Sequence, residues 1–398
     1  MNKIKEIFSS EITLLDIENN KLAFVFGCIA LSPLIGFIPS ITPIYYTMLI
    51  VAVLVLIKSV QKLNTIALLF ITVCALSIIL AFPPSFFKSW FRLGLFTLVF
   101  ILASPLLQSN KARKFRQSTL QLILFVSVIV ALLSFVFYFI GINYMVYLNS
   151  NEFMESYGRF GGLTRHSMLL GPISAIATIY CVFRALSTNN KIYWLLSIPC
   201  VACIMFSASR SAFSSAIIGV LIMMYANSKN NFSFIRKVLP IATILIITFP
   251  LWEGALSGLE EKQQRNIDKG SAYSSRSEKW NNRFEEFTDS PLWGVGFCAC
   301  APEHNKDYEK ATGVIESGSS WLAILSMTGI FGMVPFLIMS YTSINNVWRK
   351  RKTNQRAILY IGLISFLFTH MIAEGYILAG GSILCIISWF IITCCYET

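Results

Sequence analysis

Arginines are the residues of this chain whose placement most clearly invites chemistry. Arg210 stands in Ser207–Ala212, SASRSA, a turn of very few residues between two apolar runs. Its guanidinium is a permanently charged, planar fork suited to phosphate oxygens, and a snorkelling helix cap is the alternative reading. A second stretch, YGRFGGLTRHSMLLG, sets Arg159, Arg165 and His166 among glycines just before another apolar run. Gly161 and Gly162 there allow close approach of the backbone, so the stretch is either a binding loop or an ordinary polar connection. A third, YSSRSEKWNNRFEEFTDSPLWGVGF, opens on Ser275-x-x-Glu278, a capping box, and predicts a helix that Pro291 ends. At 3.6 residues per turn Arg276, Trp280, Arg283, Phe284 and Phe287 fall on or near one face, with Glu285 and Glu286 diverging from it. Arg276 in the first turn would meet an anion together with free amide groups and the helix dipole. The alternative is an amphipathic helix lying on a bilayer with its aromatics in lipid.

Carboxylates and imidazoles that could move a proton lie further on. Glu316 precedes the run SGSSWLAILSMTGIFG, and Glu374 lies in HMIAEGYILAGG with His370 one turn earlier. Glu316 is the best-placed carboxylate for proton abstraction, or else a solvated acid at a helix start. His370 reads as a packing histidine or a site residue, and His304 as a loop residue. There is no Asp-x-Asp or closely spaced His pair of the kind that would hold a metal, so no metal and no cofactor are expected.

The elements that must position these groups are set by composition. Of 398 residues 55% are hydrophobic and 13% charged, 32 are Phe, and the mean hydropathy is +0.65. No soluble core can bury such a fraction, which leaves lipid as the solvent and excludes disorder. Apolar runs fall at about 22–38, 43–57, 64–82, 90–107, 118–141, 168–186, 192–208, 211–226, 237–256, 319–345, 357–373 and 377–395. The expectation is therefore an all-α, polytopic integral membrane protein of about 12 transmembrane helices. It would form one membrane domain over 1–398, with a long loop at 257–318 between helices 9 and 10. Residues 1–21 read as an interfacial helix and not as a signal peptide.

The net charge of +12 is mostly a topology signal. Most of the 32 Lys and Arg collect in alternate short loops, such as Lys111-Arg113-Lys114-Arg116 and Arg349 to Lys352. The positive-inside rule makes those loops and both termini cytoplasmic and puts 257–318 outside, so no nucleic-acid partner is implied. Arg159, Arg165, Arg210, Glu316, Glu374 and the three histidines then share the outer side. Of the ten cysteines, eight lie in apolar runs and read as small buried hydrophobes. Cys298 and Cys300, in a polar loop, are read as structural.

SASRSA, then SSRSEKW, PLWGVGF, SSWLAILSMTGIFG and HMIAEG occur in the order seen in the superfamily of O-antigen ligases and Wzy-type O-antigen polymerases. The chain resembles that superfamily over about 155–390. The resemblance implies a GT-C-like fold and a metal-independent, inverting glycosyltransferase of the bacterial plasma (inner) membrane. Its substrate would be an undecaprenyl-diphosphate-linked oligosaccharide, with membrane lipid around it. A chain-length regulator and a repeat-unit flippase are candidate partners. Arg210 falls on the family's Ser-Arg motif and Arg276 on its loop arginine, which makes these two, with Glu316 as base, the expected catalytic set. Arg159, Arg165, His166, Arg283, His370 and Glu374 are the expected substrate-binding residues. Aligning on Gly329 and Gly332 puts Gly318 and Ser319 where ligases carry His-Asn. That departure favours a polymerase of O-antigen, capsule or exopolysaccharide over a lipid A-core ligase. A flippase or transporter of lipid-linked glycans would show ionisable residues at mid-span or a repeat, and neither appears.

Overall fold

The computed structural model describes residues 20–38, 41–81, 88–144, 160–247, 274–304, 315 and 317–398, with isolated positions at 13, 17, 264 and 267. Among these, thirteen α-helices follow one another. They are α1 (Lys21–Leu31), α2 (Thr42–Ile57), α3 (Thr65–Leu80), α4 (Ser89–Ala103), α5 (Asn110–Phe139), α6 (Ser167–Thr188) and α7 (Lys191–Phe206). Then come α8 (Arg210–Ala226), α9 (Asn231–Ile247), α10 (Ser274–Asp289), α11 (Ser320–Lys350), α12 (Gln355–Ala373) and α13 (Ile383–Tyr396). Strands β1 (Lys62–Leu63) and β2 (Leu107–Gln108) pair antiparallel, Lys62 opposite Gln108.

The protein is an all-α, multi-pass membrane protein. Helices α5, α6, α11 and α12 are each long and apolar enough to cross a membrane alone. The other apolar helices are shorter; the 16 residues of α3, for example, rise only about 24 Å against a hydrocarbon core of about 30 Å. Side chains mark where several helices begin. Asn64 accepts from the amides of Ile66 and Ala67 at 3.0 and 3.1 Å ahead of α3, and Asn190 accepts from Ile192 at 3.1 Å ahead of α7. Exposed Val, Leu, Ile and Phe along α2, α3 and α4 would be an error in water and are ordinary against lipid.

The chain divides into two compact units. The first comprises Met1–Thr42, Leu120–Ala272 and Val347–Thr369. Its centre is α6, buried along nearly all its length, where Ala177 and Cys181 meet Ala131 of α5 and Cys200 of α7. Gln121 donates to the Tyr180 hydroxyl at 2.8 Å, and the Tyr138 and Phe206 rings stack at 3.7 Å. The expected buried role fails for Cys28, which is exposed on α1.

The second unit comprises Pro43–Thr119, Tyr273–Asn346 and His370–Thr398. Phe70, Phe96, Phe100, Phe336 and Trp389 form its aromatic core, with Phe100 edge-on to Trp389 at 4.7 Å. The buried Arg116 guanidinium pairs with Glu397 and donates to the carbonyls of Leu102 and Leu107.

Within this unit α11 is broken at Gly329, whose φ of 62° and ψ of −164° no helix allows. The break is filled from the preceding connection. Ile330 N–H donates to Pro291 O at 2.9 Å, Phe331 N–H to Leu292 O at 3.3 Å, and Val295 N–H to Ser326 O at 2.8 Å. Gly294, at φ 73°, lies so close that a Cβ there would come within 2.4 Å of the Met327 carbonyl carbon. Phe297 is fully buried on the Phe96 ring and donates its N–H to Ser77 Oγ at 3.0 Å. The expectation of a polar loop around Cys298 and Cys300 is thereby corrected. Neither cysteine is in a disulfide and both are buried, because residues 294–300 pack into the unit and satisfy their backbone there. Burial pushes the Cys298 thiol up to about 12, against the opposing pull of Arg92 and Arg283.

Candidate functional site

Helix α10 carries most of the chemistry-bearing side chains of the second unit. It begins at Ser274, one residue before the cap expected at Ser275. Three ties run along its inner face. In the first turn Arg276 donates to Glu374 at 2.5 Å, and the two side chains keep 30% and 16% of their surface exposed. One turn on, Trp280 Nε1 donates to Gly318 O at 3.2 Å. In the third turn Arg283 donates to Ala299 O at 3.1 Å and to Ser326 Oγ at 3.3 Å, and pairs with Glu286 at 2.8 Å.

Glu286 was expected to diverge from this face and does not. It is fully buried, because three residues after Arg283 it neutralises that guanidinium, and it also accepts from Ala301 N–H at 2.9 Å. Phe284, expected on or near the same face as Arg276 and Arg283, is exposed. His304 bridges two carboxylates, with Nδ1 at 3.3 Å from Glu286 and Nε2 at 3.2 Å from Glu285. Arg283, an expected substrate ligand, is 5% exposed and holds the 299–304 segment to α10.

Glu374 is aimed by a stiff turn. Its carbonyl accepts from Ser320 N–H at 3.0 Å and from Ser320 Oγ at 2.6 Å, while Ser320 Oγ accepts from Tyr376 N–H at 3.0 Å. Gly375 fits tightly there, since a Cβ would fall 1.8 Å from Ser317 Oγ. His370 is buried, with Nδ1 2.9 Å from the Tyr376 hydroxyl and the two rings stacked at 5.5 Å. Lys279, three residues from Arg276, has its ammonium held below the usual lysine range, first by burial and then by the Arg276 guanidinium, with Glu374 opposing.

In the first unit Arg210 is the first residue of α8 and half-buried, and Ser209 caps the helix by accepting from Ala212 N–H at 3.4 Å. Gly171, one turn into α6, lets that helix approach the same turn; a Cβ would stand 2.9 Å from both Ser207 Oγ and Ser209 Cβ. The first turns of α6 and α8 therefore lie side by side, with His166 and Arg210 at their starts. His166 Nδ1 caps α6 by accepting from Met168 N–H at 3.1 Å. Arg165 reaches back to Ile38 O at 2.5 Å, and Gly36 N–H donates to Leu163 O at 2.7 Å. Both of these expected site residues thus also hold the 160–166 loop.

Arg159 and Glu316 lie outside the described residues. Of the expected set, Arg276 and Glu374 are in contact, and His166 and Arg210 sit on neighbouring turns. Sequence reasoning missed Lys279, Ser320 and Glu286. Spacing could have found the first and last, each three residues beyond a singled-out arginine, whereas the hub at Ser320 depends on a turn over fifty residues away.

A family model described as O-antigen ligase matches residues 195–337, from within α7 to within α11. That stretch contains Arg210, Arg276, Arg283 and the broken helix at Gly329. No curated protein matches the chain. Residues 195–337 are thus similar to an O-antigen ligase family model, in accord with the superfamily of O-antigen polymerases and ligases.

Proposed function

We propose that this protein polymerises a surface polysaccharide, transferring glycan from a polyprenyl-diphosphate carrier to a lipid-linked acceptor repeat unit. The observation that carries the reading is Arg276: a guanidinium in the first turn of α10, partly exposed and held by a carboxylate. In the proposed reaction the acceptor hydroxyl loses its proton to a carboxylate base, Glu316, as its oxygen bonds to the anomeric carbon with inversion. The bond from that carbon to the diphosphate breaks, and the departing charge is neutralised by Arg276 and Arg210, with Arg159, Arg165 and His166 contributing to substrate binding. Arginines supply the positive charge that a metal would otherwise bring, and no cofactor is invoked. Twelve crossings with both termini cytoplasmic, in the bacterial plasma membrane, complete the proposal.

Transfer to a lipid A-core acceptor is the second reading, favoured by the description of the matching family model. Against it, Gly318 and Ser319 occupy the positions of the ligase His-Asn, and His304 is engaged by Glu285 and Glu286. Purified protein given a synthetic lipid-diphosphate repeat unit decides between them. Lengthened glycans without added core support polymerisation; transfer only when lipid A-core is supplied overturns it.

A further inference from the structure

We infer that Glu374 is a placeholder anion for Arg276, displaced by the incoming diphosphate and restored when the product leaves. The inference rests on the proposed reading of Arg276 and deepens it by naming what controls that site.

Three arginine–carboxylate pairs are described above, and they differ in kind. Arg116 and Arg283 are buried and hold backbone carbonyls as well as their acids. Arg276 is the one with 30% of its side chain exposed, on the first turn of its helix. The backbone that carries its carboxylate partner is held, since Ser320 donates twice to the Glu374 carbonyl and Gly375 sits against Ser317. The guanidinium is the more exposed member of the pair, at 30% against 16%, and so the one open to an incoming anion.

The charges around the pair support the same conclusion. Arg276 and Lys279 are two cations within one turn, mutually repulsive, and Glu374 offsets both. A diphosphate offers more negative charge and two oxygens in guanidinium geometry, so it can take over both cations. Once transfer is complete, Glu374 competes for Arg276 and hastens release of the polyprenyl diphosphate.

The geometry also argues against Glu374 as the base. In an inverting transfer the base and the leaving group act on opposite faces of the sugar. A carboxylate in contact with the guanidinium that would hold the leaving group lies on the wrong side for proton abstraction. Glu374 is accordingly a positioning residue.

The experiment is equilibrium binding of labelled farnesyl diphosphate, a short polyprenyl diphosphate, to the full chain in detergent. Wild type, Glu374→Gln, Arg276→Gln and the double variant are compared. Glu374→Gln keeps the backbone bonds to Ser320 and is expected to bind about 5- to 50-fold tighter than wild type. The gain should vanish in the double variant. In the elongation assay Glu374→Gln should show a lower KM and a kcat reduced only by slower release. If Glu374→Gln binds no tighter, or the gain survives without Arg276, the placeholder role is overturned while the arginine reading stands. If Arg276→Gln binds like wild type, the arginine reading itself fails. A kcat loss of about 100-fold or more at unchanged affinity would make Glu374 the base and overturn the inference. Should Glu374→Gln not fold, Glu374→Asp carries the same test with a smaller gain expected and an unchanged affinity overturning the proposal.

Discussion

The amide of Ile330 donates to the carbonyl of Pro291 at 2.9 Å, so a 31-residue helix is completed by a segment of chain that precedes it. Helix α11 cannot be continuous through Gly329, and the carbonyls that the break would leave to its following amides are replaced by those of Pro291 and Leu292. This relationship holds α10 and its arginines at a fixed place on the second unit.

Gly329→Ala and Gly294→Ala are expected to destabilise by several kcal/mol each, since a Cβ would sit 2.3 Å from Leu292 C or 2.4 Å from Met327 C. Gly94→Ala is the control. It lies within α4 with nothing within 4 Å of a new Cβ, and it should be neutral or raise stability by about 0.5–1 kcal/mol. Thermal unfolding in detergent checks all three.

Loss of the diphosphate-binding charge should be catalytic and not structural. Arg276→Ala and Arg210→Ala are each expected to lower elongation by about 100-fold or more, with insertion into the membrane and melting close to wild type. Chain-length analysis of polymer from cells carrying each variant is the measurement. Wild-type lengths in both would remove the arginines from the reaction.

The buried pair on α10 has the opposite signature. Arg283→Ala leaves Glu286 charged and buried, which should cost about 3–5 kcal/mol and free the 299–304 segment to proteolysis. The double variant Arg283→Met/Glu286→Leu should be more stable than either single change, because no uncompensated charge remains. Melting of the four proteins checks this.

Lys279 supplies a pH dependence whose sign follows from its surroundings. Its folded-state pKa lies below that of the unfolded chain, with burial the larger cause and Arg276 the second. Between those two values the unfolded chain binds more protons, so stability rises with pH through that alkaline window and the charged form is the disfavoured one below it. The free amine should consequently appear at lower pH than in ordinary surface lysines, giving faster acylation near pH ~9. Arg276→Gln should slow that acylation and Glu374→Gln should speed it, as read by peptide mass spectrometry.

Much of the helical layout was legible because lipid imposes long apolar runs, and helices stand at each of the runs noted in the sequence. The start of α10 was legible to within two residues, although Ser275, expected to cap the helix, is its second residue. What escaped was decided by distant partners. Glu286 looks like a solvent-side acid until Arg283 and Ala301 enclose it, and PLWGVGF reads as a surface loop until Ser326 and Ile330 take up its backbone groups. Arg165 and His166 drew attention as charges near glycines, yet the contacts described for them close a loop and cap a helix. Charge identity was visible in the sequence, but whether a charge is already engaged depends on which carbonyl or carboxylate the fold brings beside it.

Because Pro291 and Leu292 lend their carbonyls to α11, the interhelical segment and the helix it repairs form one transplantable cassette. A chimaera cut at Ser320 would import a foreign segment with no guarantee of matching acceptors for Ile330 and Phe331, and its failure would be mistaken for a specificity defect. Grafts meant to exchange glycan preference should carry α10 through Gly332 as a single piece.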